Sequence, residues 1–128
     1  MMYLGIDWGK RKIGLAIGGQ EIKIASPLSI LFVKEYRQTI EDIKEIITSE
    51  GIDKVVIGDP VSLGGDESLN KQFKSFVKEI SELGLDVVLE DERFSSKLAQ
   101  KQQLEVGKKQ EDDALAAAAI LQTHFDKM

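Results

Sequence analysis

Apolar residues in the first part of the chain occur in short runs of the length typical of β-strands. Residues 3–6 and 13–17 form two such runs, joined by a basic turn that contains glycine. Ile22 and Ile24 alternate with charged residues and predict a third strand that leads toward Pro27. Because the three runs follow one another closely along the chain, they predict an antiparallel meander.

The spacing of apolar residues then changes to that of amphipathic helices. Gly51 and Gly84 each follow an apolar stripe of helical spacing and are expected to end a helix there. The first stripe falls at i, i+4, i+7 and i+11, and the second has the same character. Their members are Tyr36, Ile40, Ile43 and Ile47 in the first, and Leu69, Phe73, Phe76, Val77, Ile80 and Leu83 in the second.

Two further strands and two further helices complete the predicted fold. The runs "KVVIGDP" and "DVVLEDER" predict the fourth and fifth strands. Ser95 or Ser96 would cap a helix that reaches about Val106, and the alanine-rich last helix would begin at Asp112 or Asp113. The order β-β-β-α-β-α-β-α-α predicts an α/β fold, a mixed five-stranded sheet with helices on both faces.

Composition limits the classes of protein that fit. A length of 128 residues predicts one domain over residues 1–128. The chain has no cysteine and a single histidine, so thiolate sites and multi-histidine metal sites are excluded. With no secretory signal and no apolar run of membrane-spanning length, we expect a cytoplasmic protein. The net charge of −5 argues mildly against nucleic acid as a partner, although the basic residues are locally clustered.

Carboxylates are expected to converge at one edge of the predicted sheet. Asp7, Asp59 and the Asp91–Glu92 pair each follow a strand, and the three strands would be parallel neighbours. Sites in such sheets form outside the carboxyl ends of the strands. Asp113 at the start of the last helix would share a face with small and apolar residues. Clustered carboxylates favour a hard cation such as Mg²⁺ or Mn²⁺, and such ions support phosphodiester hydrolysis.

Four segments together resemble the YqgF/RuvX family. They are "LGIDWGKRKIGLAI", "VVIGDPVSLGG", "LEDERFSSKLA" and "DDALAAAAILQ", in the family's order and spacing over essentially the whole chain. The resemblance implies an RNase H-like fold similar to the Holliday junction resolvase RuvC. It also implies a metal-dependent nuclease that matures the end of pre-16S ribosomal RNA.

Carried onto this chain, the resemblance implies a catalytic and metal-binding trio of Asp7, Glu92 and Asp113. Asp91 is the alternative ligand to Glu92. If Glu92 is the ligand, Asp91 would brace the turn or Arg93, and Arg93 would also contact phosphate. One departure is Asp59, because the family usually has a large apolar residue between this glycine and proline. It would place a fourth acid near the site, as a ligand or as a residue that holds the loop.

Structural roles remain open for several of these residues. Asp7 has the pattern of a turn aspartate, and an acid at the start of a helix is stabilised by the helix dipole. The basic residues fit either phosphate contacts or a solvated surface, and residues 58–65 fit either a phosphate cradle or an ordinary loop. The basic residues are Lys10, Arg11 and Lys12 in the first turn, and Lys97 and Lys101 in the predicted third helix. His124 is expected to be structural.

Three other functions stay open beside rRNA maturation. DNA junction resolution uses the same chemistry but needs a two-fold dimer, and no long apolar dimer helix is evident, so we expect a monomer or a weak homodimer. A non-catalytic factor that binds RNA or the ribosomal particle would have the same fold without the nuclease activity. An ATPase of the actin and Hsp70 class has a similar first hairpin but duplicates this domain, which 128 residues cannot hold twice.

Overall fold

The computed structural model describes residues 1–59, 67–91 and 112–128, and only the backbone of residues 91, 112 and 113. The predicted helix over residues 95–106 and the loop that follows it lie outside these ranges. The strands are β1 Met2–Asp7, β2 Lys12–Gly19, β3 Ser26–Phe32, β4 Ile52–Asp59 and β5 Asp86–Asp91. The helices are α1 Tyr36–Ser49, α2 Glu67–Ser81 and α3 Asp112–Asp126.

The five strands form one mixed sheet in the order β3-β2-β1-β4-β5. β1 pairs antiparallel with β2, and β2 pairs antiparallel with β3. β1, β4 and β5 are parallel neighbours, as the alternation of strands and helices predicted. The α/β fold class with a mixed five-stranded sheet is therefore confirmed.

The third strand differs from the prediction. Ile22 and Ile24 lie in the connection before β3 and are 73% and 61% exposed. Lys23 between them has a φ of 60°, which breaks the extended backbone that a strand needs. The strand instead runs through Pro27, at a register shift in the pairing with β2. Proline is tolerated there because β3 is an edge strand, where a missing N–H need not break the sheet.

The two glycines predicted to end helices do so. Gly51 follows α1 with a φ of 63°, and Gly84 follows α2 with a φ of 87°. Both values lie in the left-handed region that glycine adopts without a steric penalty. The backbone N–H groups of these glycines donate to Thr48 and Ser81 carbonyls in the preceding turns.

Helices cover the two faces of the sheet unequally. α1 and α2 pack on one face around a core that includes Leu4, Ile6, Ile13, Ile40 and Phe76. Among the described helices, only α3 packs on the other face, around Tyr3, Val56, Ala117, Ile120 and Phe125. These are called below the α1/α2 face and the α3 face. In the described parts of the chain, no helix is long and apolar enough to cross a membrane.

The alanine-rich sequence of α3 lets this helix lie close to the sheet. A Cβ added at Gly5 would lie 2.8 Å from Leu121 Cβ and 2.9 Å from the Ala117 carbonyl oxygen. One added at Gly58 would overlap the Ile120 side chain. Small residues on both sides of this interface therefore set the distance between α3 and the strands.

Candidate functional site

Asp7 is the last residue of β1 and is partly buried. Its neighbours Ile6 and Trp8 both belong to the core on the α1/α2 face. Because successive side chains of a strand point to opposite faces, Asp7 belongs to the α3 face. It pairs in register with Gly14 of β2. The predicted catalytic aspartate thus lies at a strand end, on the face that α3 covers.

The first turn of α3 lies toward the same end of the sheet. Phe125, near the C-terminus of α3, contacts the Gly18 position, and Ala117 contacts the Gly5 position. Gly18 pairs with Tyr3 near the start of β1, so α3 runs antiparallel to β1. Its N-terminal residues Asp112 and Asp113 therefore lie toward the end of β1 that carries Asp7. The backbone thus brings Asp7 and the first turn of α3 toward the same end of the sheet.

The carboxyl ends of the three parallel strands meet at one edge, as predicted. Asp59 ends β4 and Asp91 ends β5, and the two residues pair in register. However, Asp59 follows Val55 and Ile57 at two-residue spacing, and both pack into the core on the α1/α2 face. Side-chain alternation places Asp59 on that face, opposite Asp7. Asp59 therefore lies at the same edge of the sheet as Asp7 but on the opposite face, which disfavours it as a ligand beside Asp7 and leaves open its role in holding the loop.

Several predicted site residues lie outside the described ranges. These are Glu92, Arg93, Lys97, Lys101 and most of the loop over residues 58–65. Over residues 1–59, 67–91 and 112–128, no group of three or more His, Asp or Glu side chains is placed to hold a metal ion. The trio of Asp7, Glu92 and Asp113 therefore stays a prediction, of which the structure describes the Asp7 side chain and the backbone of Asp113.

The basic turn between β1 and β2 lies directly beside Asp7. Lys10, Arg11 and Lys12 are all exposed, and Lys12 is the first residue of β2. The Val33 N–H donates to the Arg11 carbonyl oxygen at 2.8 Å and ties the turn to the end of β3. Three cations are thus held near the strand end where the carboxylate lies, which favours an anionic ligand there.

A buried ion cluster joins β5 to α3, and sequence analysis did not predict it. Glu90 is only 6% exposed. Its Oε1 accepts a hydrogen bond from His124 Nδ1 at 2.9 Å, and its Oε2 accepts one from Lys127 Nζ at 2.7 Å. Burial alone raises the pKa of Glu90, but hydrogen bonds from Lys127 and His124 and their charges lower it overall, below its usual value of 4.5. The pairing agrees with the structural role expected of His124.

The only sequence feature that could have indicated this cluster is the glutamate that directly follows the apolar run of β5. Glu90 follows the run "VVL", and a carboxylate that such a strand buries needs a partner. Its partners lie 34 and 37 residues further along the chain. The sequence could therefore predict that a partner exists but not which residue provides it.

A cavity of about 420 Å³ opens on the α1/α2 face next to the basic turn. Its lining combines aromatic and aliphatic side chains with polar ones from α2, and includes Trp8, Ile13, Tyr36, Lys10 and Lys71. Burial and the nearby Glu79 carboxylate raise the pKa of Tyr36 to about 12, so its phenol stays protonated at neutral pH. Because Trp8 and Asp7 point to opposite faces, this cavity is separated by the sheet from the Asp7 carboxylate.

Comparison with known proteins connects this arrangement to a family. The sequence model of the RuvX family, described as a Holliday junction resolvase, matches residues 1–127. The chain belongs to the RuvX family. The resemblance seen in the four sequence segments is thereby confirmed.

Relatives within the RuvX family match over nearly the whole chain. A protein of Sulfurihydrogenibium sp. (strain YO3AOP1) is 34% identical over 132 residues, covering 98% of this chain and 90% of its own length. One of Bordetella pertussis (strain Tohama I) is 35% identical over 127 residues, covering 98% of this chain and 93% of its own. Each carries the name "Putative pre-16S rRNA nuclease".

Solved structures show the same fold at low sequence identity. RuvC of T. thermophilus in complex with a Holliday junction substrate has a TM-score of 0.66 and 19% identity, covering 99% of this chain and 95% of its own. The Holliday junction resolvase of fowlpox virus has a TM-score of 0.67 and 11% identity, with full coverage of both chains. The RNase H-like fold class is confirmed by these neighbours.

Membership of the RuvX family identifies the chain as a nuclease, an enzyme that hydrolyses phosphodiester bonds. Nucleic acid is accordingly the class of its substrate. The alternative of an ATPase of the actin and Hsp70 class gains no support from the family match.

Proposed function

We propose that this chain is a divalent-metal-dependent endonuclease that matures the 5′ end of pre-16S rRNA. The observation that carries the proposal is the position of Asp7, which ends β1 on the face whose helix α3 begins at the same end of the sheet. Relatives about one-third identical over the whole chain carry the name of a pre-16S rRNA nuclease. Ribosomal RNA maturation would place the protein in the cytoplasm, with a ribosomal particle as its partner.

Asp7, Glu92 and Asp113 are proposed as the residues that hold Mg²⁺ or Mn²⁺. The donor chemistry fits, because these side chains offer only carboxylate oxygens, the ligands that such hard cations prefer. The backbone positions of Asp7 and of the first turn of α3 fit as well, since both lie toward one end of the sheet. When bound, the metal ion would activate water and stabilise the leaving oxygen of the cleaved bond.

The chain's own residues would bind and orient the nucleic acid around Asp7. Lys10, Arg11 and Lys12 in the adjacent turn would contact phosphates, and Arg93 is proposed for the same role. Asp7 is partly buried, which limits the access of bulk water to this residue and strengthens the interaction of its carboxylate with a cation. One chain provides one such site, and we propose that it acts as a monomer or a weak homodimer.

DNA junction resolution is the second candidate, favoured by the fold that this chain shares with T. thermophilus RuvC and the fowlpox virus resolvase. The chemistry at the phosphate would be the same in both cases. The two functions differ in the shape of the substrate and in the need for two sites related by a two-fold axis to cut a junction symmetrically.

The test is to incubate the purified protein with labelled precursor 16S rRNA and with labelled four-way DNA junctions side by side, in Mg²⁺ and in Mn²⁺. We expect discrete cleavage of the rRNA precursor and loss of cleavage when the metal is chelated. Cleavage of the junction alone would overturn the rRNA assignment in favour of resolution. Cleavage of neither substrate, together with normal rRNA maturation in cells that express an Asp7→Ala variant, would leave only the non-catalytic binding role.

A further inference from the structure

Phe32 is the last residue of β3 and is 64% exposed. A single exposed apolar side chain needs no explanation by itself. Its immediate neighbour makes this one notable, because Lys12 pairs with Phe32 across the strands and holds its Nζ 5.9 Å from the centre of the ring. A cation at this distance over an aromatic ring is a favourable contact, and it keeps a positive charge beside an open ring face.

Phe32 and Lys12 belong to the same face of the sheet as Asp7. Leu31 and Ile13, their neighbours along the strands, pack with the core on the α1/α2 face. Side-chain alternation therefore assigns Phe32 and Lys12 to the α3 face. The face that would carry the reaction thus includes an exposed aromatic ring and a lysine.

The register of the strands fixes how far Phe32 lies from Asp7. Asp7 pairs with Gly14, and Gly14 pairs with Ile30, so these three residues form one row across the sheet. Lys12 and Phe32 form the next row on the same face, beyond the end of β1. From the spacing of strands and of residues along a strand, the Cα atoms of Phe32 and Asp7 lie roughly 12 Å apart. A nucleic-acid strand with a phosphate at Asp7 would carry neighbouring bases past Phe32.

Charge favours a polyanion on this surface. Lys10, Arg11 and Lys12 are consecutive cations in a chain whose net charge is −5. The hydrogen bond from Val33 N–H to the Arg11 carbonyl holds this turn against the end of β3, next to Phe32. Phe32 and Lys12 therefore form one unit beside this basic turn, and single-stranded nucleic acid is bound by such a combination of aromatic stacking and positive charge.

We propose that Phe32, flanked by Lys12, is a stacking platform for an unpaired base of the nucleic-acid strand whose phosphate lies at Asp7. This deepens the proposed nuclease function and rests on it for the position of the phosphate. The surface is called below the Phe32 platform. A second copy of this chain or another protein covering Phe32 is the competing occupant that the experiment must distinguish.

The test measures binding separately from cleavage. In the Asp7→Asn background, we would titrate a fluorescein-labelled single-stranded RNA and follow its anisotropy. Phe32→Leu removes the ring but keeps an apolar side chain, and we expect it to raise the Kd by about fivefold or more. Phe32→Trp keeps a stacking surface and should bind within about twofold of the parent. Ile22→Ala is the matched control, because Ile22 is also exposed but lies at the other end of the sheet, and its Kd should not change.

An unchanged Kd for Phe32→Leu would overturn the platform. If light scattering also shows a change in oligomeric state for this variant, Phe32 would be assigned to a contact between copies instead. Failure of the nuclease proposal would give a different result. If the wild-type protein cuts no nucleic acid but Phe32→Leu still lowers the affinity for RNA, the nuclease proposal fails and the platform is supported.

Discussion

Glu90 accepts a hydrogen bond from His124 at 2.9 Å and thereby joins the edge strand β5 to the last turns of α3. Glu90 pairs with Gly58, the residue after Ile57, and Ile57 pairs with Ile6. On the α3 face, the buried Glu90 carboxylate is thus separated from Asp7 by one intervening strand, β4. A contact that fixes one end of α3 on the sheet also helps to fix the position of its first turn, where Asp113 lies.

Replacement of His124 should destabilise the fold measurably. His124→Ala leaves the buried Glu90 carboxylate with the hydrogen bond from Lys127, and we expect a loss of about 1–3 kcal/mol in the free energy of unfolding. Urea unfolding at pH 7 measures it. The control is Arg37→Ala, which breaks an exposed ion pair with Glu79 and should cost less than about 1 kcal/mol. Equal effects of the two substitutions would contradict this description of the Glu90 cluster.

Because the pKa of Glu90 is lowered in the folded state, part of the free energy of unfolding depends on pH. A carboxyl group whose pKa is lower in the folded state stabilises that state at pH values above its unfolded pKa, near 4.5, and loses this contribution as the pH falls through the folded pKa. We therefore expect the stability difference between the wild type and Glu90→Gln to shrink as the pH falls below 4.5. Urea unfolding of both proteins over this range is the measurement, and a constant difference would contradict the assignment.

The close approach of α3 to the sheet predicts a contrast between two glycines. Gly5→Ala would bring a Cβ within 2.9 Å of the Ala117 carbonyl oxygen, a backbone atom that cannot rotate away. We expect a loss of about 1–3 kcal/mol from overpacking and a displaced α3. At Gly19 the nearest atom to an added Cβ is Met2 Sδ at 3.6 Å, an ordinary contact, so Gly19→Ala should change stability by less than about 1 kcal/mol. Thermal unfolding followed by circular dichroism compares the two, and equal midpoints would show that α3 can move away freely.

The order of the elements could be predicted because its determinants are local. Apolar periods distinguish helix from strand within a few residues, and Gly51 and Gly84 mark the helix ends by their backbone conformation. The third strand was misplaced because a charged residue, Lys23, adopts a positive φ that its sequence context does not indicate. Pro27 is part of that strand and not its end, because an edge strand can include proline.

The position of the candidate site in the sheet could also be predicted, because it follows from the order of the strands. The ends of parallel strands meet at one edge whatever their sequences, so the sequence predicts that Asp7 and Asp59 lie at that edge, as they do. The face on which Asp59 lies could not be predicted, because "VVIG" is apolar on both faces and shows no alternation. Phe32 was also missed, since its importance depends on a pairing with Lys12 across two strands.

The most direct test of the central claim compares two aspartates at one edge of the sheet. Cleavage of precursor 16S rRNA in Mn²⁺ would be measured for the wild type, Asp7→Asn and Asp59→Asn, with unfolding curves to show that all three are folded. If Asp7 is a metal ligand, its replacement should lower the cleavage rate by more than about 100-fold, beyond the loss usual for residues that only support ligands. Asp59→Asn, on the opposite face, should cleave at close to the wild-type rate. Undiminished cleavage by Asp7→Asn, or an equal loss for both variants, would contradict the account.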